Sequence, residues 1–339
     1  MGRTEKAQNA PLRAAVHKNY YYILLLGALV AIFAITSVIN SSFLTLGNIV
    51  SMLEQMPDYA LMALGIMLAI VSGGIDLSTV GVANLTAALA ALSLLKYVPD
   101  GLPGGSFALR VVLILAGGVC LGAAAGLLNG LLITKLGIPA MLATMGSNFA
   151  YTGVCMVLTE GASISGINTQ FTQVMSYRVF GVLPISILVL LLCIALVAML
   201  MNWSTFGTKL CMIGTNQKAT RMGGIDNDKL IILVHVICSA LSAIAGLIML
   251  GRLSSSRADY GKAYSTQAIL IVILGGTDPA GGSGKTLGVL LGSFIIQAIT
   301  TAIAMIPGFN SYIKNIVFAV LLLGLMILNF YRAKRRKRG

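Results

Sequence analysis

The groups in this sequence able to do chemistry are aspartates, amides and glycines set in apolar runs. Two such runs end alike, in Ile70-Val71-Ser72-Gly73-Gly74-Ile75-Asp76 and in Val272-Ile273-Leu274-Gly275-Gly276-Thr277-Asp278, 202 positions apart. A glycine pair permits the positive-φ turn that ends a helix. An aspartate just beyond it can accept hydrogen bonds from the first amides of the next helix. Each motif therefore predicts a helix break at membrane depth. Such breaks are tolerated only where the backbone is buried in protein or lines a watery cavity, and paired breaks in two halves point to a solute pathway. Asp76 and Asp278 read as caps in the first instance and as pathway groups in the second. Four amides inside apolar runs, Asn84, Asn129, Asn148 and Gln297, are of the kind that binds hydroxyls. They are equally of the kind that ties helices together.

Other chemistries find no support. The five cysteines, at 120, 155, 193, 211 and 238, show no paired spacing, and His17 and His235 are the two histidines, so neither a metal site nor a catalytic triad is expected. Catalytic residues and metal ligands are both read as none. The segment Ala280-Gly281-Gly282-Ser283-Gly284-Lys285-Thr286 imitates a phosphate loop, but the position six before Lys285 is Pro279 where that loop needs glycine. Lys285 is expected to anchor a span at the cytoplasmic surface.

The elements that must position these groups are membrane spans. Of 339 residues, 57% are hydrophobic and 10% charged, with a mean hydropathy of +0.92. A soluble chain of this length carries about 25% charged residues, so soluble enzymes and disordered chains are excluded. The net charge of +13 does not imply nucleic acid, because six of the 23 basic residues lie in the last eight positions, beside an apolar run. Apolar stretches place ten spans, near 20–39, 57–73, 77–95, 110–134, 138–158, 182–201, 230–250, 264–275, 287–305 and 312–331. With both termini cytoplasmic, 16 basic residues fall inside and seven outside, three of the seven between Arg252 and Lys262. The expectation is an all-α polytopic membrane protein with glycine-broken helices: a cytoplasmic tail 1–19, one membrane domain 20–331, and a basic cytoplasmic tail 332–339. Leu46 to Met56 reads as a separate interfacial helix on the outer face, and Thr159 to Gly181 as an outer loop over the entrance.

The internal loop 203–229 carries Ile213-Gly214-Thr215-Asn216-Gln217-Lys218-Ala219-Thr220-Arg221-Met222-Gly223-Gly224-Ile225. Thr215 or Asn216 can cap the start of a short helix and Gly223 or Gly224 can end it. About two turns are unstable alone in water, so this helix needs a surface, either lipid or a partner protein. A second packing signal is the run Gly117, Gly118, Gly122, Ala123, Ala124, Ala125 and Gly126, whose small side chains predict close helix contact within the subunit or across a dimer.

In order and spacing, four segments resemble the permease subunits of bacterial ABC importers for simple sugars, the family of ribose, xylose, arabinose and autoinducer-2 permeases. They are SGGIDLS at 72–78, GLLNGLLITKLGIPAMLATMG at 126–146, IGTNQKATRMGGI at 213–225, and ILGGT with GGSG around 275–284. The resemblance implies that Asn216, Lys218, Ala219, Arg221, Gly223 and Gly224 belong to a coupling helix docked on a separate ATP-hydrolysing subunit. It also implies ATP and magnesium on that partner and no cofactor in this chain, a separate sugar-binding protein outside, and a second permease copy or relative. Surrounding lipid in a bacterial inner membrane is the remaining partner. Two departures stand out: Thr79 and Val80 precede Gly81 where the family has valine then glycine, and Ser265, Thr266 and Gln267 stand where an acidic residue is frequent. An ion-coupled transporter, which would need Asp76 or Asp278 as a proton or sodium ligand, and permeases for nucleosides or branched-chain amino acids are the alternatives.

Overall fold

The computed structural model describes residues 10–306 and 313–336, with side chains from 21 to 306 and 313 to 327. The outermost parts of both expected tails, 1–9 and 337–339, lie outside the described residues. Among those described, the helices in order are α1 (Ala10–Ile39), α2 (Leu46–Val71), α3 (Thr79–Tyr97), α4 (Gly104–Thr134), α5 (Ala140–Leu158), α6 (Thr169–Met175) and α7 (Ile185–Trp203). Then follow α8 (Thr205–Thr215), α9 (Gln217–Met222), α10 (Asn227–Leu253), α11 (Tyr264–Leu274), α12 (Thr286–Met305) and α13 (Ile313–Arg336). Eight are long and apolar enough to cross a membrane, and α11 and α13 supply two shorter apolar helices. Each of the ten expected spans thus has its helix.

Burial sorts these helices into a centre and a periphery. The most apolar stretch of α2 is 89% buried and that of α10 61%, whereas α1 is 11% buried. The sequence explains the contrast, since α2 is apolar all round from Ala60 to Val71 and needs protein on every side. Glycine sets how closely α10 approaches its neighbours. A Cβ at Gly65 would lie 2.9 Å from the Cys238 Cα, and one at Gly246 would overlap the Ala83 carbonyl. On α4, Gly118, Gly122, Gly126 and Gly130 recur every fourth residue and form a flat stripe facing Leu247, Ser239 with Ala243, His235 and Ile232 of α10 in turn. One face of the small-residue run therefore packs inside the subunit, while Gly117 and Ala124 are exposed.

The sequence misread one boundary. The interfacial helix expected at Leu46 to Met56 is continuous with the following span as α2, 26 residues long, with Pro57 inside it. Proline usually stops such a helix; here it sits buried between Met56 and Asp58 inside the continuous helix. At one end of the bundle α6 packs on α3, α4 and α10, and a two-stranded hairpin, β1 (Arg178–Val179) with β2 (Leu183–Pro184), packs against α2 and α7. Phe171 is fully buried there, among Leu94, Val98 and Phe107. Three of the four arginines expected outside are locally neutralised: Arg178 meets Glu54 at 2.9 Å, Arg257 meets Asp259 at 2.9 Å, and Arg252 turns inward to Asp58.

Candidate functional site

Both Gly-Gly-x-Asp motifs break their helices. α2 ends at Val71 with Gly73 at φ +87°, and α11 ends at Leu274 with Gly276 at φ +86°. After the first break, residues 74–78 form no regular structure before α3 begins at Thr79. Asp76 faces Cys238, which lies eleven residues into α10, or about 16 Å from its start. The first break thus reaches membrane depth. The second span is built in the same way: residues 254–263 form a turn-rich segment with Ser256 and Ala258 buried. The eleven-residue α11 follows, about 16 Å long and half a bilayer.

Three of the four singled-out amides converge on α3. Asn84 donates through Nδ2 to the Ala258 and Tyr260 carbonyls at 3.0 and 2.9 Å, fastening the second broken span to the first. Asn129 of α4 donates to Ser78 Oγ at 2.8 Å, and Asn148 of α5 accepts from Gly81 N–H at 2.9 Å. A Cβ at Gly81 would sit 2.8 Å from that same Asn148 oxygen, so glycine at this one-residue offset is what admits the amide. Gln297 stands apart on α12, where its Oε1 accepts from Tyr59 Oη and its Nε2 donates to Thr301 at 3.2 Å.

The two aspartates, alike in sequence, differ in place. Asp76 is wholly buried, and its Oδ1 accepts from Ser78 N–H at 2.9 Å and Ser78 Oγ–H at 2.6 Å. Asp278 is exposed, accepts from Ala280 N–H at 3.0 Å, and does no more than close the turn after α11.

Below the breaks lies a junction of backbone. Gly282 N–H donates to the Val71 carbonyl at 2.9 Å, joining the end of α2 to the loop after α11. A Cβ at Gly281 would lie 3.1 Å from Gly73 Cα and 3.0 Å from the Gly214 carbonyl oxygen. A Cβ at Gly214, the penultimate residue of α8, would overlap both the Val71 carbonyl oxygen and Gly282 N. Three segments meet here without an intervening side chain. Gly214 escaped the sequence reading, which took Thr215 onward as the working part of the loop. Lys285, just beyond, places its ammonium 4.8 and 5.2 Å from the rings of Tyr21 and Tyr22 on α1, a cation-π anchor.

The short helix expected in loop 203–229 is α9, and α8 leads straight into it. Asn216 caps α9, accepting from Lys218 and Ala219 N–H at 3.1 and 3.0 Å. Gly224 terminates it at φ +78°, with Ile225 N–H returning to the Thr220 carbonyl at 3.1 Å. Thr220 is its buried residue, while Lys218, Ala219, Arg221 and Met222 are exposed, Met222 at 90%. Asn227 Nδ2 grips the Gln217 carbonyl at 2.8 Å, and Arg221 pairs with Asp228 at 2.8 Å. The backbone N–H and ammonium of Lys229 hold the Asp226 carboxyl below its ordinary range, so this cap of α10 stays ionised.

A buried pair unremarked in the sequence joins α2 to α10. Asp58 of α2 is fully buried and bonded to Arg252 of α10, with Tyr59 edge-on to Tyr264 at 5.6 Å. An aspartate in one span and an arginine ending another were the available signal. Arg252 also lines a mainly apolar cavity of about 320 Å³ bounded by Glu54, Val119, Arg178, Val189 and Ile248.

Residues 48–327 match the family described as branched-chain amino acid transport system / permease component. The chain belongs to this permease family. The permease is 32% identical to the ribose import permease protein RbsC of Escherichia coli (strain K12) over 302 residues, which cover 87% of this chain and 89% of that one. It is 31% identical to the Bacillus subtilis (strain 168) ribose import permease over 87% of this chain and 88% of that one. With the autoinducer 2 import system permease protein LsrC of Yersinia enterocolitica it shares 26% identity over 89% of this chain and 80% of that one. Its fold is similar to that of a solved metal-chelate type ABC transporter in an inward-facing conformation, with a TM-score of 0.50, 16% identity, and coverage of 91% of this chain and 99% of that one. The resemblance read from four motifs thus holds across the described fold, and the permease is a multi-pass membrane protein.

Proposed function

We propose that the permease forms the membrane pathway of an ATP-driven, binding-protein-dependent importer for a monosaccharide or related small polyol. The observation that carries the mechanism is the backbone junction of Val71, Gly214 and Gly282, which links the base of an exposed capped helix to both helix breaks. Displacement of α9 by a bound partner would be passed through rigid backbone contacts to the two spans whose helices are interrupted. Asn216, Lys218, Ala219, Arg221, Gly223 and Gly224 form the docking element for a separate ATPase subunit that carries ATP and magnesium. Gly73, Gly74, Gly275 and Gly276, with Asp76 and Asp278, form the moving breaks. The ribose permeases matched over nearly their full length support the substrate class.

The single membrane domain 20–331, both termini in the cytoplasm, a second permease subunit and an inner-membrane location belong to the same reading. Asn84, Asn129 and Asn148 act in it by holding α3 beside the pathway. The test is uptake of radiolabelled ribose by cells lacking other ribose uptake, with the permease, its ATPase and its binding protein expressed together. Uptake abolished by omitting the ATPase and competed by unlabelled pentoses is the expected result. Competition by leucine instead of pentoses would move the substrate to the branched-chain amino acids of the family description, and ATPase-independent uptake would refute the mechanism.

A further inference from the structure

The polar groups around the first break are left electrically unbalanced. Asp76 is fully buried at membrane depth, and its Oδ1 is committed to Ser78, while the weakly donating Cys238 thiol is the other donor at the carboxyl and Oδ2 has no N–H or O–H partner. Among the described residues no lysine or arginine pairs with it. Asn129, equally buried, spends Nδ2 on Ser78 Oγ and leaves its Oδ1 without a donor. Thr79, also fully buried, has an unpartnered Oγ1 one residue from Ser78. A carboxylate and two further unpartnered oxygens thus belong to the two residues bonded to Ser78 and to the residue that follows it.

We propose that Asp76, Thr79 and Asn129 hold a monovalent cation of the sodium class. A buried carboxylate at this depth is costly unless a positive charge or proton meets it. The donors are all hard oxygens and carry one negative charge in total, which matches an alkali ion and falls short of what a divalent ion takes. No cluster of three or more histidines, cysteines, aspartates or glutamates occurs among the described residues, which excludes a transition-metal set. The titratable groups facing Asp76 are Cys238 of α10 and Tyr151 of α5, and neither supplies positive charge. The ion would tie α3 to α4 and stiffen the first break, whose lower end contacts Gly282 and Gly214. It is a fixed part of the break, and the energy for uptake still comes from ATP.

The test is equilibrium ²²Na⁺ binding and thermal melting of the purified full-length permease in detergent, in sodium chloride against choline chloride at equal pH and ionic strength. Wild type is expected to bind sodium saturably and to melt at a higher temperature in sodium. Asp76→Asn should lose both effects, and Asp100→Asn, on the outer surface, should keep both. Thr79→Ala leaves every hydrogen bond of Asp76 in place, so it should remain folded while sodium affinity falls by about tenfold or more. Equal melting in sodium and choline, or a sodium response retained by Asp76→Asn, would overturn the proposal. A melting temperature that follows pH and ignores sodium would overturn it in favour of a protonated Asp76.

Discussion

Replacing Gly214 by alanine isolates the junction from the rest of the machine. The added methyl would occupy the space of the Val71 carbonyl oxygen and Gly282 N, both backbone atoms that cannot rotate aside. To restore the roughly 3.5 Å of an ordinary contact the segments must part by more than about 1 Å, which breaks the 2.9 Å Gly282 to Val71 hydrogen bond. An unsatisfied buried carbonyl costs about 1–3 kcal/mol, equivalent to a roughly 5- to 150-fold bias against the joined state. The assay is ribose uptake per ATP hydrolysed in proteoliposomes holding the permease and its ATPase, with the binding protein and ribose presented to the outer face. Uptake per ATP should fall by about tenfold or more, while ATP hydrolysis and the folded yield of the variant persist. Gly146→Ala, where an added methyl meets nothing within 4 Å, should behave as wild type. Wild-type uptake per ATP in Gly214→Ala would refute the argument that α9 acts through this junction.

Other perturbations separate stability from coupling. Gly126→Leu drives a side chain into the His235 carbonyl on α10, so the folded fraction in detergent should collapse, as should that of Gly122→Leu; intact folding with only dimerisation lost would contradict packing inside the subunit. Asn216→Ala removes the cap of α9 and should cost about 0.5–2 kcal/mol of local helix stability, read as weaker co-purification of the ATPase and restored by Asn216→Asp. Arg252→Ala strands the buried Asp58 and should destabilise by about 3–5 kcal/mol, whereas Arg252→Ala with Asp58→Ala should recover much of that in a thermal melt. The depressed Asp226 carboxyl contributes stability that is complete above its unfolded value of about 4 and lost as pH falls through its lower folded value; hydrogen exchange at the start of α10 should therefore be unchanged by its titration from pH 5 to 8 and rise only in stronger acid.

Hydropathy and glycine placement determined the class of this protein, the approximate position of each span, both helix breaks and the capped helix of the loop 203–229. These are local properties: a 20-residue apolar run, a glycine pair and an asparagine cap have the same physical meaning wherever the chain places them. Which groups meet is set by packing between distant segments, and only the tertiary structure decided it. The Asp76 and Asp278 motifs look equivalent along the chain, yet one carboxyl is sealed between α3, α4 and α10 and the other lies at the surface. Asn84, Asn129 and Asn148 are scattered over 64 positions, and the fold gathers them around the start of α3. Leu46 to Met56 has the pattern of an interfacial helix, but in the fold it runs on through the buried Pro57 as part of α2. Gly214 gives no signal along the chain, because its value lies in the side chain it lacks, and that absence matters only where Val71 and Gly282 come to rest against it.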